Sequence, residues 1–258
     1  MLMHDAVIEL VGVTQRFAAP QGTYTALANV SFHVGRRRFI ALVGPSGSGK
    51  TALLNLMAGL AMPSEGHVLS SGQPLKNLNR TAAYVFQQDA LLPWKTVRQN
   101  VRLGLELRGR PDEALVSDWL RRVGLDGFSE YYPSQLSGGM RKRVALAQTL
   151  IVEPELLLMD EPFGALDIHT RLRMEAELLE LWSASRATVV FVTHDLEEAI
   201  ALADQVMVLS AGPASRITGS FEIHLDRPRD LMELKTNEQF LSLYRTIWTT
   251  LRPEVMPR

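Results

Sequence analysis

The sequence predicts an α/β fold built on a mostly parallel sheet covered on both faces. Three observations predict it. Strand-sized apolar stretches alternate with helical stretches in the second half of the chain. A continuously apolar strand runs directly into a glycine-rich turn that opens a helix. A block of helices between residues 96 and 151 interrupts the alternation, so one α/β core flanks a helical insert.

Each element has its own warrant. Residues 7–10 and 28–34 alternate apolar and polar side chains, which predicts a half-exposed antiparallel sheet. Residues 39–43 are apolar throughout and suit a buried central strand. Residues 50–59 form a helix with Gly59 near its C-terminus. Residues 67–70 and 82–86 are further strands, and 113–123 and 140–152 are the clearest helices of the insert. Apolar strands return at 156–159, 189–192 and 206–209, with helices over 168–183 and 196–202. Residues 228–250 read as a final helical stretch, with Leu231, Leu234, Leu241 and Ile247 on one apolar face packed against the chain's own domain. Residues 216–229 receive no assignment.

Composition narrows the function. The chain has 258 residues, 46% hydrophobic and 21% charged, which suffices for a sizeable core. A net charge of −1 points to neither nucleic acid nor an anionic membrane surface. There are no cysteines, so disulfides, cysteine metal sites and thiol nucleophiles are excluded. Residues 1–10 carry Asp5 and Glu9 and lack the basic start and apolar stretch of a signal peptide. No apolar stretch reaches the ~18 residues that cross a bilayer, so a membrane role requires a partner.

Gly44-Pro45-Ser46-Gly47-Ser48-Gly49-Lys50-Thr51 matches the phosphate-loop pattern G-x-x-x-x-G-K-[ST] in its strand–loop–helix context. The glycines let the backbone curl around phosphates with N–H groups inward, and the helix N-terminus adds partial positive charge. Lys50 would reach the β- and γ-phosphates, and the Thr51 hydroxyl would help hold Mg²⁺. A GTPase would also need an N-K-x-D segment, which is missing. Leu156-Leu157-Leu158-Met159-Asp160-Glu161 is an apolar strand ending in two acids, at the end of the sheet where α/β proteins place ligands. Asp160 is placed to bind Mg²⁺ through water, and Glu161 to act as general base on the attacking water. Leu136-Ser137-Gly138-Gly139-Met140 opens a helix, a second anion-binding device. The basic run Arg141, Lys142 and Arg143 behind it reads, by itself, as a solvated helical face.

Taken together and in this order, the motifs resemble those of ABC transporter ATPase subunits from about residue 5 to about residue 228. The resemblance implies a P-loop NTPase (RecA-like) core with an antiparallel β subdomain and an inserted helical subdomain. Residues 1–88 and 154–228 would form the α/β core, 89–153 the helical subdomain with the signature, and 229–258 a helical tail, all one domain. Phe17 is similar to the family's adenine-stacking aromatic, with Tyr24 as the other candidate. Gln87 resembles the glutamine that contacts Mg²⁺ and water and senses the membrane partner. Ala165-Leu166-Asp167 resembles the loop that meets the second subunit, and His194, in Thr193-His194-Asp195, resembles the γ-phosphate switch. Two positions depart from the pattern. Met140 stands where Gln is commoner, and Ala52 stands where a second hydroxyl is frequent, which implies one phosphate contact fewer.

The resemblance also implies a mechanism. Two copies would face head to tail, so that Ser137, Gly138 and Gly139 of one cap ATP on the phosphate loop of the other. Closure and reopening would move a pair of membrane permease subunits at the cytoplasmic face of the membrane, with a solute-binding protein as an indirect partner. The stretch Phe86-Gln87-Gln88-Asp89-Ala90-Leu91-Leu92-Pro93-Trp94 is similar to the importer branch for nitrate, sulfonate, taurine and related solutes, as is Phe163-Gly164-Ala165-Leu166-Asp167. The length leaves no room for a separate regulatory domain. The competing reading is a soluble ABC-type ATPase, but the coiled-coil insertion of repair types and the second cassette of translation types are both missing.

Overall fold

The computed structural model describes residues 6–20 and 22–256. Residues 1–5, read above as lacking a signal peptide, lie outside the described residues, as do 21, 257 and 258.

Two sheets form the core. The first is antiparallel and four-stranded, in the order β2-β1-β4-β5, from β1 (Ala6–Ala19), β2 (Gly22–Gly35), β4 (Glu65–Ser70) and β5 (Gln73–Pro74). The second is six-stranded, in the order β10-β9-β3-β8-β7-β6. Its strands are β3 (Phe39–Val43), β6 (Ala82–Val85), β7 (Leu156–Asp160), β8 (Thr188–Val192), β9 (Gln205–Leu209) and β10 (Ile217–Glu222). All pairings in it are parallel except β10 on β9.

The period-2 geometry of a strand sends alternate side chains to opposite faces. In β3, Phe39, Ala41 and Val43 join one apolar cluster, while Ile40 and Leu42 join another. Strands β7, β8 and β9 divide in the same way. The second cluster lies toward the antiparallel sheet and α1 (Lys50–Ala58), and the first toward the helical layers. Burial on both faces is why these strands read as unbroken apolar runs.

The insert between β6 and β7 holds α2 (Val97–Leu107), α3 (Glu113–Arg122) and α4 (Gly138–Leu150). Helix α5 (Ile168–Ser183) follows β7, and α6 (Leu196–Leu202) follows β8. Side chains fix several of these starts. Ser137 accepts from Met140 N, Asp167 from Thr170 N, and Asp195 from Glu197 N and Glu198 N. Helix α4 therefore begins two residues earlier than the sequence pattern suggests, at its cap.

Three expectations change. The first hairpin is far longer than 7–10 and 28–34, because bulges between Leu10 and Arg16 break the alternation that marks a strand. The unassigned 216–229 contains β10, while Arg227 and Arg229 tie the following turn to the carbonyls of Leu202, Ala201 and Ala203. The tail is two helices, α7 (Leu231–Leu234) and α8 (Glu238–Val255), separated by a turn at Lys235–Asn237. Leu231 and Ile247 are buried as expected, but Leu241 is 39% exposed and leaves the apolar face, which Phe240 and Leu251 join.

Candidate active site

The phosphate loop joins β3 to α1. Gly49, the residue before α1, has φ +82°, and a Cβ there would stand 2.7 Å from Leu27 Cδ2, so both conformation and space demand glycine. A Cβ on Gly44 would meet Leu209 O and Ser48 Oγ, each at 2.9 Å. Pro45 is half-buried, Ser46 and Gly47 are exposed, and Ser48 is buried. Lys50 Nζ donates to Gly44 O and Pro45 O, both at 2.9 Å, so the ammonium sits in the curl of the loop. Burial holds its pKa below the usual lysine range, against the raising influence of the Glu161 and Asp160 carboxylates. A partly desolvated cation of this kind gains strongly from an anionic ligand. Ala52 packs at the edge of the inner apolar cluster.

Asp160 ends β7 beside α1. Thr51 Oγ1 donates to Asp160 Oδ1 at 3.3 Å, and the Tyr84 hydroxyl on β6 donates to Oδ2 at 3.4 Å. Burial raises the Asp160 pKa, with the Glu161 charge adding and the Thr51 hydrogen bond opposing. Burial and Asp160 push the Tyr84 phenol up, so it stays a donor. Glu161 has φ +42°, a left-handed conformation unusual for a side chain with a Cβ. Its N–H donates to Val192 O at 2.9 Å, which ties the end of β7 to the end of β8. Glu161 Oε2 lies 3.1 Å from His194 Nδ1. The end of the parallel sheet thus gathers Lys50, Thr51, Asp160, Glu161 and His194, which the sequence distributes over 145 positions.

The oxygens at the end of β7 are of the hard type that Mg²⁺ prefers. Among the described residues, no group of three or more His, Cys, Asp or Glu is arranged to hold a metal. Mg²⁺ ordinarily takes one or two carboxylates, with water and substrate phosphates completing its shell. Asp160 and Thr51, adjacent hard oxygens beside a phosphate loop, fit that requirement.

The signature residues stand elsewhere. Ser137 is exposed and caps α4, while positions 138 and 139 face Leu166 and Thr170 at the start of α5. The signature therefore packs next to Asp167. Gln87 is exposed, and its carbonyl accepts from Lys142 Nζ at 2.7 Å. Asp89 lies 2.9 Å from both Lys142 Nζ and Arg141 Nε. Lys142 is only 4% exposed, which corrects the reading of the basic run as a solvated face. Buried Asn100 fastens the adjoining segment by donating to Leu92 O, Lys95 O and Thr96 O. Phe17 and Tyr24 oppose each other in the β1–β2 ladder and are 45% and 41% exposed. A Cβ on Gly212 would stand 3.0 Å from the Tyr24 hydroxyl and 2.9 Å from Gly47 O, which puts Tyr24 beside the phosphate loop.

Asp89, Lys142 and Tyr84 are the residues sequence reasoning missed. Tyr84 heads the Tyr84–Gln87 run and Asp89 follows it by two positions. Lys142 carried no readable signal, because its partner lies 53 positions away.

Comparison with known proteins gives the family. Residues 27–164, more than half the chain, match the family model described as ABC transporter. The chain belongs to the ABC transporter family. It is an ATP-binding cassette and an ATPase of that class. An uncharacterised ABC transporter ATP-binding protein of Methanocaldococcus jannaschii is 43% identical over 96% of this chain and 92% of its own length. An aliphatic sulfonates import ATP-binding protein of Bacillus cereus is 37% identical, with 93% and 94% covered. A nitrate import ATP-binding protein of Synechocystis is 45% identical, with 81% and 79% covered. A dimeric cassette in a post-hydrolysis state, bound to ADP and Pi, superposes with a TM-score of 0.74 at 29% identity. That match covers 85% of this ABC cassette and all of the other chain.

Proposed function

We propose that this cassette powers an importer of small solutes of the sulfonate, nitrate or taurine type, as one half of an ATP-sandwiched dimer. The observation that carries the reading is that two half-sites sit on different elements of the fold. Lys50, Thr51, Asp160, Glu161 and His194 gather at the end of the sheet, whereas Ser137 caps α4 against the start of α5. A second, identical copy placed head to tail brings the two halves together around each nucleotide.

Within that site the phosphate loop from Gly44 to Thr51 binds the phosphates, and Phe17 stacks on adenine. Thr51, Asp160 and Gln87 would hold Mg²⁺, which would supply charge neutralisation between the phosphates. Glu161 takes a proton from the attacking water, and its hydrogen-bond partner His194 stabilises charge on the γ-phosphate. Ser137, Gly138 and Gly139 cap the nucleotide of the partner, and Asp167 contacts the partner beside it. Loss of the bridging phosphate opens the dimer, because ATP favours the closed state over the open one.

The permease would dock on the face formed by α2, α4 and residues 86–90. A cleft of about 940 Å³ lies there, lined by Phe86, Ala90, Leu103, Leu107, Arg108 and Gln148. Trp94 and Leu107 project nearby, 71% and 80% exposed. Among the described residues no helix is long and apolar enough to cross a membrane, so attachment at the cytoplasmic face would run through this contact. A solute-binding protein would join on the far side of the permease. The reading is tested by co-expression with a permease of the sulfonate or nitrate class and measurement of ATP turnover in the assembled complex. Gln87→Ala should leave ATP binding within about twofold while removing most of the transport-linked hydrolysis. Unchanged stimulated turnover, or no stable complex with any such permease, contradicts it.

A further inference from the structure

Beneath His194 lies a largely buried polar cluster whose side chains are not among those assigned above to the nucleotide. Thr193 is 2% exposed, and its hydroxyl donates to Glu198 on α6. The same hydroxyl accepts from Asp195 N at 3.0 Å. Glu198 is itself 8% exposed. Asp195 Oδ1 accepts from Glu197 N and Glu198 N, and its Oδ2 lies 3.5 Å from the Arg171 guanidinium on α5. Arg171 Nη2 then donates to Leu166 O at 3.2 Å. Buried Glu175, one turn along α5 from Arg171, completes the set.

A carboxyl group withdrawn from water is costly unless hydrogen bonds compensate it, and a buried network so satisfied fixes the groups it joins. Here the bonds fix the two residues that flank His194. Thr193 is held by Glu198 from the side chain and by Leu42 O from its N–H at 3.2 Å. Asp195 is held by α6 and Arg171. The exposed imidazole between them meets Glu161 at 3.1 Å. The backbone that carries it is held on both sides, at Thr193 and at Asp195.

We propose that Glu198 is a positioning residue for ATP hydrolysis, acting through Thr193 on the orientation of His194. The chain of contacts continues through Asp195 and Arg171 to Leu166, so the same network sets His194 relative to residues 165–167. Burial raises the Glu198 carboxyl to about 8, and the group is predominantly protonated at neutral pH. Its carbonyl oxygen is then the acceptor for Thr193, a role that a glutamine carbonyl can fill.

The proposal rests on the assignment of His194, and the test separates the two. ATP turnover and ATP affinity are measured on the full chain assembled with its permease, for E198A, E198Q, T193V and H194A. Turnover of E198A and T193V should fall about tenfold or more with ATP affinity within about twofold, since misplacing a reacting group damages the transition state more than the bound state. E198Q should keep more than about half of the wild-type rate, which a requirement for charge would not allow. Wild-type turnover in E198A beside an inactive H194A overturns the proposal and leaves the His194 assignment intact. A joint loss of affinity, turnover and thermal stability in E198A and E198Q alike also overturns it, because that is the mark of a purely structural residue. Wild-type turnover in H194A overturns the assignment, and the proposal with it.

Discussion

Replacing Asp89 with alanine removes one acceptor shared by two cations of α4. Its carboxylate lies 2.9 Å from Arg141 Nε and 2.9 Å from Lys142 Nζ. The Arg141 side chain is 37% exposed, so solvent screening reduces that arm to about 0–1 kcal/mol. The Lys142 side chain is 5% exposed, and after the substitution its ammonium would keep the Gln87 carbonyl at 2.7 Å as its hydrogen-bond partner. A hydrogen bond to a charged group contributes about 1.5–3 kcal/mol, and a buried charge left short of partners adds to the loss. The expected destabilisation is about 2–4 kcal/mol. For a chain of this size that corresponds to a fall in Tm of roughly 4–16 °C. Scanning calorimetry or thermal circular dichroism measures it, alongside Lys142→Met and the double variant. The pair should couple by about 1–3 kcal/mol in the double-mutant cycle, because the double variant leaves no orphaned ammonium. A D89A protein that melts within about 1 °C of wild type, or a cycle that is additive, would refute the claim that this contact joins residues 86–90 to the signature helix.

Two further predictions address packing and pH. Gly104 on α2 faces Val152 closely enough that an added Cβ would stand 2.6 Å from Val152 Cγ1 and 3.3 Å from Gln148 O. Gly104→Ala should cost about 1–3 kcal/mol by urea denaturation, and Val152→Ala in the same chain should recover part of it; a neutral Gly104→Ala would mean that the two helices separate freely. The buried carboxyls of Glu198 and Glu175 are raised to about 8 and about 7, first by burial and then by neighbouring carboxylates, Asp195 among them. The surrounding charges are Arg171, Asp195, Glu197 and Lys235. Both values lie above the ordinary 4.5, so the folded chain holds protons that the unfolded chain releases. Their contribution to stability is complete below about 4.5 and is lost as pH rises through 7 to 8. Relative to wild type, Glu198→Gln should gain stability with rising pH across that window by at most about 1.4 kcal/mol per unit, and parallel stability curves would contradict this.

Legibility in the sequence followed the range of the interactions. Strand β3, the phosphate loop and α1 could be read almost to the residue, because the apolar run, the glycines and the Lys-Thr pair are contiguous. Helices α5 and α6 were equally clear, since Asp167 and Asp195 cap them locally. The long first hairpin was only half legible, because bulges shift the alternation between Leu10 and Arg16. Strand β10 was invisible. It is an edge strand in which every second residue is exposed, and Gly219 and Ser220 carry little strand signal. Lys142 and Leu241 were misread for the same reason from opposite sides. A basic residue was buried by a distant carboxylate, and an apolar residue was left in water because its neighbour Phe240 took the core position. At the site, the residue types and their order were plain, but not the φ of +42° at Glu161 or its contact with His194, since both depend on how β7 and β8 end side by side.

If two copies of this cassette complete each other's nucleotide sites, the solution mass of Glu161→Gln must respond to Mg-ATP. The substitution keeps the shape of the side chain and removes the proposed base, so nucleotide should bind while hydrolysis slows and the closed state accumulates. The mass should shift from that of one chain, 28.7 kDa, to twice that value when Mg-ATP is added, and should not shift when Ser137 is also replaced. A protein that binds ATP yet stays at the single-chain mass, both alone and with the permease subunits present, would contradict the head-to-tail sandwich.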